Sequence, residues 1–177
     1  MCKAEYVINT KQTTTVGEIY DGKNLSLSFH SSRPDLLGIS FSFATYSRVL
    51  TDGSLTVTVT DEAQNVIYSD KMEGSSIQDN GSLDIVFPVQ SQSANRNYTV
   101  LFTTSGINRD HAITLWANES SVSGVSTRLD GVILKTTPVF SLAYIANSFK
   151  YTWYLVLLFT FFFVLTVVSY KRNGPIE

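Results

Sequence analysis

Ser54-Leu-Thr-Val-Thr-Val-Thr60 alternates without a break: Leu55, Val57 and Val59 fall on one face, and Thr56, Thr58 and Thr60 on the other. Successive side chains of an extended chain point to opposite sides, so this run reads as a β-strand with one buried face. The same pattern recurs outward in both directions. Leu25–Phe29 and Gly38–Ala44 precede it; Ser82–Phe87, Tyr98–Thr103 and Ala112–Trp116 follow. Weaker runs lie at Val66–Ser69, Val132–Lys135 and Val139–Ala143. Between them stand Asp21-Gly22, Asp52-Gly53, Asp79-Asn80-Gly81, Ser105-Gly106 and Asp130-Gly131, residues suited to the positive φ of tight turns. Gln90–Asn97, rich in Ser and Asn, reads as an exposed loop. Short strands at this spacing, with no helical pattern between them, predict an all-β antiparallel sandwich over residues 1–140. No βαβ unit interrupts them, which argues against a nucleotide-binding α/β fold.

The chain ends differently. Trp153 to Tyr170 contains no charge, no Gly and no Pro. As a helix those residues extend about 27 Å, close to the roughly 30 Å of a bilayer's hydrocarbon core. A transmembrane α-helix is therefore expected over 152–170. Tyr151, Trp153 and Tyr154 would lie at one membrane interface, and Tyr170, Lys171 and Arg172 at the other. Residues 141–151 then form a juxtamembrane connector, loosely amphipathic through Leu142, Tyr144, Ile145 and Phe149; a final strand leading into the helix is the competing reading. Residues 171–177 make a short basic tail.

The two basic residues after the span, against Lys150 before it, favour a cytoplasmic-membrane protein whose sandwich is extracytoplasmic. A tail-anchored protein with a cytoplasmic domain, or a piece of a longer membrane protein, are the alternatives. No apolar h-region follows Met1. With Cys2 the single cysteine, a disulfide-stapled fold is excluded. A net charge of −2 gives no sign of a nucleic-acid surface.

Catalytic signatures are sparse. His30 and His111 lie apart and in no metal-spaced motif, and no serine sits in a nucleophile elbow. Asp61-Glu62 would point to opposite faces of a strand and mark a turn where that strand ends. Asp52, Asp61, Asp79 and Asp130 are oxygen donors of the kind a structural Ca²⁺ takes, yet isolated Asp-Gly turns are ordinarily only turns. No cofactor and no enzyme activity is expected. Four N-x-[ST] sequons, at Asn24, Asn80, Asn97 and Asn118, are near what chance supplies in so Ser-, Thr- and Asn-rich a chain. The better signals are for binding. Trp116 sits opposite Ile113 and Leu115, and Tyr46 is out of register with Phe41 and Phe43, so both rings are turned away from the expected core. Outward aromatic rings can stack on the apolar face of a sugar; packing by a loop or the membrane surface is the competing use.

Leu36-Leu-Gly-Ile-Ser-Phe-Ser-Phe-Ala-Thr-Tyr-Ser-Arg48 and Asp52-Gly-Ser-Leu-Thr-Val-Thr-Val-Thr-Asp61 also carry a resemblance. With Ile77-Gln-Asp-Asn80, Phe87-Pro88, Asn97-Tyr98 and Ile113-Thr-Leu-Trp116, they resemble the extracytoplasmic jelly-roll modules of bacterial multi-spanning envelope proteins that assemble polysaccharide. About half the chain is covered. The resemblance implies a jelly-roll-like, carbohydrate-binding-like sandwich that contacts glycan or a neighbouring polytopic membrane protein. Catalysis in such proteins belongs to the membrane part, so the resemblance supplies no catalytic residue. The expected function is thus a single-pass, membrane-anchored binding module for cell-envelope glycan, accessory to polysaccharide assembly. Trp116 and Tyr46 are its contacts. A structural subunit docking on a polytopic partner, or a fragment of a larger glycosyltransferase-like protein, is the alternative.

Overall fold

In a computed structural model of the chain, residues 3–9, 11–145 and 156–163 are described. They fall into a unit over Met1–Ile145 and a second over Ala146–Glu177. The first unit is built from strands β1 (Lys3–Asn9), β2 (Thr14–Thr15), β3 (Leu25–Ser31), β4 (Leu36–Ala44), β5 (Ser54–Asp61), β6 (Val66–Glu73) and β7 (Ser82–Gln90). It continues with β8 (Arg96–Ser105), β9 (Thr114–Asn118), β10 (Val125–Leu129), β11 (Val132–Ile133), β12 (Thr137–Pro138) and β13 (Phe140–Ile145). Six of them form one sheet, in the order β11-β10-β3-β8-β5-β6. In the other, β1, β13, β4, β9 and β12 follow one another, with β2 against β9 and β7 against β4. All these pairings are antiparallel, and the two sheets form a sandwich.

The pairings nest. β5 pairs with β6, β4 with β7, β3 with β8, and β1 with β13. The chain is in effect one long hairpin, turned at residues 61–65 and wound across two sheets. Local chemistry makes that turn: the Asp61 carboxylate accepts from the Asn65 backbone N–H at 2.8 Å and from its side-chain amide at 2.9 Å. Gln64, at φ +65, reverses the chain between them. A two-residue turn joins β10 to β11, with Asp130 at φ +51 and Gly131 at φ +79. Positive φ at both central positions is what a tight hairpin matching strand twist requires.

The alternation seen in the sequence fills the space between the sheets. Leu55, Val57 and Val59 are buried, and Thr56, Thr58 and Thr60 are half-buried on the opposite face. Phe41 and Phe140 from one sheet meet Phe29 and Phe102 from the other. The Phe41–Phe102 rings lie edge to face at 5.0 Å, Phe41–Phe140 at 6.0 Å and Phe29–Phe140 at 6.1 Å. Ile39, Leu25, Leu27, Ile85 and Leu115 extend this core.

The sandwich is longer than the expected 1–140. Ser141 to Tyr144 pair with both β1 and β4, and Ile145 with β1, so they belong to β13 and not to a connector. Their backbone groups are taken up by neighbouring strands, so this part of the segment is strand. The rest of the expected connector, residues 146–151, lies outside the described residues. Of the second unit, residues 156–163 are helical, inside the run expected to span a membrane. Among the described residues no helix is long and apolar enough to cross one. Val156, Leu157, Leu158, Phe159, Phe161, Phe162 and Phe163 all stand exposed on this short helix. The remainder of 152–170, the tail, and the expected interface residues Tyr151, Trp153, Tyr154, Tyr170, Lys171 and Arg172 lie outside the described residues.

Candidate functional site

Tyr46 and Trp116, 70 positions apart in the chain, are brought to one patch of the sandwich by β2. Thr15 of β2 pairs directly with Trp116 of β9, placing the two side chains side by side on one face. Its hydroxyl lies 2.7 Å from the Tyr46 hydroxyl. Trp116 is half-buried, and Tyr46 is 51% exposed. The result is an aromatic platform of two rings bridged by a threonine.

Each ring is held from behind. The Trp116 indole N–H donates to Asn80 Oδ1 at 2.8 Å, which fixes the plane of the ring. Tyr46 and Ser47 follow β4 in left-handed backbone, at φ +54 and +60, a conformation costly for residues carrying a Cβ. Asp79 holds them there: its carboxylate accepts from the Thr45 N–H at 2.5 Å and the Ser47 N–H at 3.3 Å. The turn Asp79-Asn80 therefore positions both aromatic residues, one through each side chain. Arg48 lies over the Tyr46 ring, its guanidinium carbon 5.4 Å from the centroid. It is steadied by Glu18 at 3.2 Å and by the Ala112 carbonyl at 3.2 Å. Arg109 reaches the other oxygen of Glu18 at 3.3 Å.

The charges of this patch are locked as ions. Hydrogen bonding from Arg48, and then from Arg109, holds the Glu18 carboxyl below the usual carboxylate range. The Thr45 N–H, followed by that of Ser47, does the same for Asp79. A depressed folded-state value means that Asp79 contributes stability above the ordinary aspartate pKa and loses it as pH falls through the lower, folded value. Thermal stability is expected to decline on acidification below about pH 4. In Asp79→Asn, which keeps one acceptor oxygen but cannot titrate, a melting series from pH 5 to pH 2 should show a shallower decline. An unchanged slope would remove Asp79 as the group responsible.

The other residues singled out in the sequence do not converge. Asp61 closes the β5–β6 turn, as its position at a strand end implied, and Glu62 is paired with Arg96. Asp52 accepts from the Thr51 hydroxyl at 3.1 Å, and Asp130 sits in the β10–β11 turn. Among the described residues no three His, Cys, Asp or Glu side chains are grouped to hold a metal ion. His30 Nδ1 lies 3.2 Å from Asn97 Oδ1 and His111 Nδ1 3.1 Å from Asn108 Oδ1, both at the surface. The displaced carboxylates Glu18, Asp61, Glu62 and Asp79 are all shifted downward, so each is an acceptor at neutral pH and none is poised as an acid. Thr15, Glu18 and Arg48 escaped the sequence reading. β2 is only two residues long, too short for any periodicity, and Glu18 meets its arginines across 30 and 91 positions.

No protein-family profile matches this chain, and no curated protein matches it in sequence. Among solved structures, a mutant of Xylanase10C from Cellvibrio japonicus in complex with xylopentaose is similar over 70% of this chain, with 10% identity and a TM-score of 0.41. The chain matches 24% of that enzyme's length. A similarity of that size carries nothing about ligand or activity.

Proposed function

We propose that this protein is a membrane-anchored binding module whose sandwich, of jelly-roll type, recognises cell-envelope glycan as an accessory to polysaccharide assembly. The nested pairing of β1 with β13, β3 with β8, β4 with β7 and β5 with β6 supports the jelly-roll description, since a wound hairpin produces that order. The uncharged run from Trp153 to Tyr170 supports the anchor. One observation carries the binding role: Tyr46 and Trp116 share an exposed patch around Thr15, with Asn80 and Asp79 holding them in place. Rigid aromatic faces give a sugar ring apolar contact at little entropic cost, while Thr15, Asn80 and Arg48 supply neighbouring hydrogen-bond groups.

Calorimetric titration of the full chain in detergent with neutral oligosaccharides tests this reading. Trp116→Ala should weaken binding about tenfold, equivalent to about 1.4 kcal/mol. Binding unaffected by that change removes the platform from the function. The alternative, a subunit docking on a polytopic partner, is favoured by the edge strand β11, where Val132 and Ile133 are 66% and 65% exposed. Co-purification with a polytopic protein, in the absence of any glycan binding, would establish that alternative.

A further inference from the structure

At the opposite end of β7 from the aromatic platform, the two sheets part around a cleft of about 410 Å³. Its walls are the β5–β6 turn, through Asp61, Glu62 and Ala63, and the β7–β8 loop, through Val89, Gln90, Ser91 and Gln92; Arg96 and Tyr98 complete it. The volume falls within the range of small-ligand sites. Ser82 pairs with Ser42 at the platform end of β7, and Gln90 with Leu36 at the cleft end. Along β4 the paired positions Ser42 and Leu36 are six steps apart, so the two places are separated by about 20 Å.

Tyr98 makes this cleft more than a gap between loops. It pairs with Phe29 and with Asp61 on the inner face of its sheet, and its ring stacks on that of Phe29 at 5.7 Å. Only 4% of the residue is exposed, yet it lines the cleft. Its hydroxyl has no hydrogen-bond partner among the described residues. Burial first, and the Asp61 charge second, push the Tyr98 phenol up, so it stays protonated and able to donate. The hydroxyl is not among the buried polar atoms left without a partner, so it opens to the cleft, where a ligand can take its hydrogen bond.

The remaining lining limits what that partner is. Two carboxylates, Asp61 and Glu62, face one guanidinium, Arg96, so the balance of charge repels anions. Asp61 and Glu62 are held low by Asn65 and by Arg96 respectively and are already engaged. They are rim acceptors, not free ligands for a cation, in keeping with the lack of any metal-holding group among the described residues. Gln92 adds a side-chain amide, both donor and acceptor.

We propose that this cleft binds an uncharged, hydroxyl-bearing ligand, a sugar residue of a glycan, through the Tyr98 hydroxyl and the Gln92 amide, with Arg96 and Glu62 on the rim. The site is separate from the platform, and only its choice of sugar as ligand rests on the glycan reading of this protein. Neutral pentasaccharides of glucose, xylose and N-acetylglucosamine, with an oligogalacturonate as the anionic control, are titrated calorimetrically into the full chain in detergent. Tyr98→Phe keeps the ring packed on Phe29 and removes only the hydroxyl; it should weaken binding of a neutral oligosaccharide about fivefold while the melting temperature holds. Gln92→Ala, at an exposed position, should act in the same direction. Loss on Tyr98→Phe with Trp116→Ala unaffected upholds the cleft and overturns the platform. Loss on Trp116→Ala with Tyr98→Phe and Gln92→Ala unaffected overturns the cleft alone. Tighter binding of the oligogalacturonate, or no binding by any pentasaccharide, also overturns the proposal.

Discussion

Phe41→Ala is expected to remove about 3–5 kcal/mol of folding stability, the range found when a large buried aromatic is truncated to alanine. The position justifies the upper part of that range. Phe41 is 1% exposed and stands at the centre of the inter-sheet cluster, edge-on to Phe102 at 5.0 Å and stacked with Phe140 at 6.0 Å. Truncation therefore strips contacts from both sheets at once. The void cannot collapse easily, because its walls are hydrogen-bonded strands that keep their spacing. A fall in melting temperature of roughly 10–15 °C should accompany the change. Denaturant unfolding of the full chain measures it directly, with Val86→Ala as a control. Val86 is 59% exposed on β7 and should change stability by less than about 0.5 kcal/mol. A Phe41→Ala protein as stable as the control would mean that the two sheets do not share this core.

Gly38→Ala should cost about 1–3 kcal/mol for the opposite reason, overpacking. A Cβ at this position would lie 2.5 Å from the Ile85 carbonyl oxygen, and backbone cannot swing aside as a flexible side chain does. The close approach follows from the pairing. Leu36 pairs with Gln90 and Gly38 with Val86, so two steps along β4 correspond to four along β7. The surplus residues of β7 include Pro88, which has no N–H to offer a neighbour and suits a bulge on an edge strand. Accommodating a methyl group requires β7 to move away from β4. That displaces Gln90 and the loop that walls the cleft. Gly38→Ala should consequently lower the denaturation midpoint and weaken oligosaccharide binding at the Tyr98 cleft more than at the platform. A variant with wild-type stability would show that β4 and β7 can part at that point without penalty.

The sandwich was largely legible in the sequence wherever a strand has one wet and one dry face. Ser54–Thr60, Gly38–Ala44 and Leu25–Phe29 all bury the residues their alternation assigns inward. Where that contrast fails, so does the reading. β10 is Val125-Ser-Thr-Arg-Leu129, and its inward position Thr127 is polar though 2% exposed, so no apolar alternation announces it. β6 runs to Glu73, but as an edge strand it is only half-buried, through Ile67, Tyr68 and Met72, and only Val66–Ser69 showed apolar character. β13 was split between a weak strand and a connector because Phe140 to Tyr144 are all buried, which erases the period of two. β1 is held by backbone pairing to β13, far away in the chain. The platform was half legible. Trp116 and Tyr46 were marked separately by their register, whereas Thr15, Asn80 and Asp79, which unite them, carry no signal of that role. The cleft was not legible at all, since Tyr98 reads in the sequence as an ordinary inward residue of β8.

The sequence by itself determined which of the alternating segments extend, which residues those strands turn inward, where turn residues interrupt them and where the chain becomes uniformly apolar. All of these follow from local chemistry: a side-chain period of two, turn residues that tolerate positive φ, and a run without charge. Tertiary structure alone decided that β1 meets β13, that β2 carries Thr15 between Trp116 and Tyr46, and that the sheets part beside Tyr98. Alternation looks the same whatever partner a strand takes. Partner and register are chosen by burying the inner faces of both sheets together, a condition set by the whole chain and not by any one stretch of it.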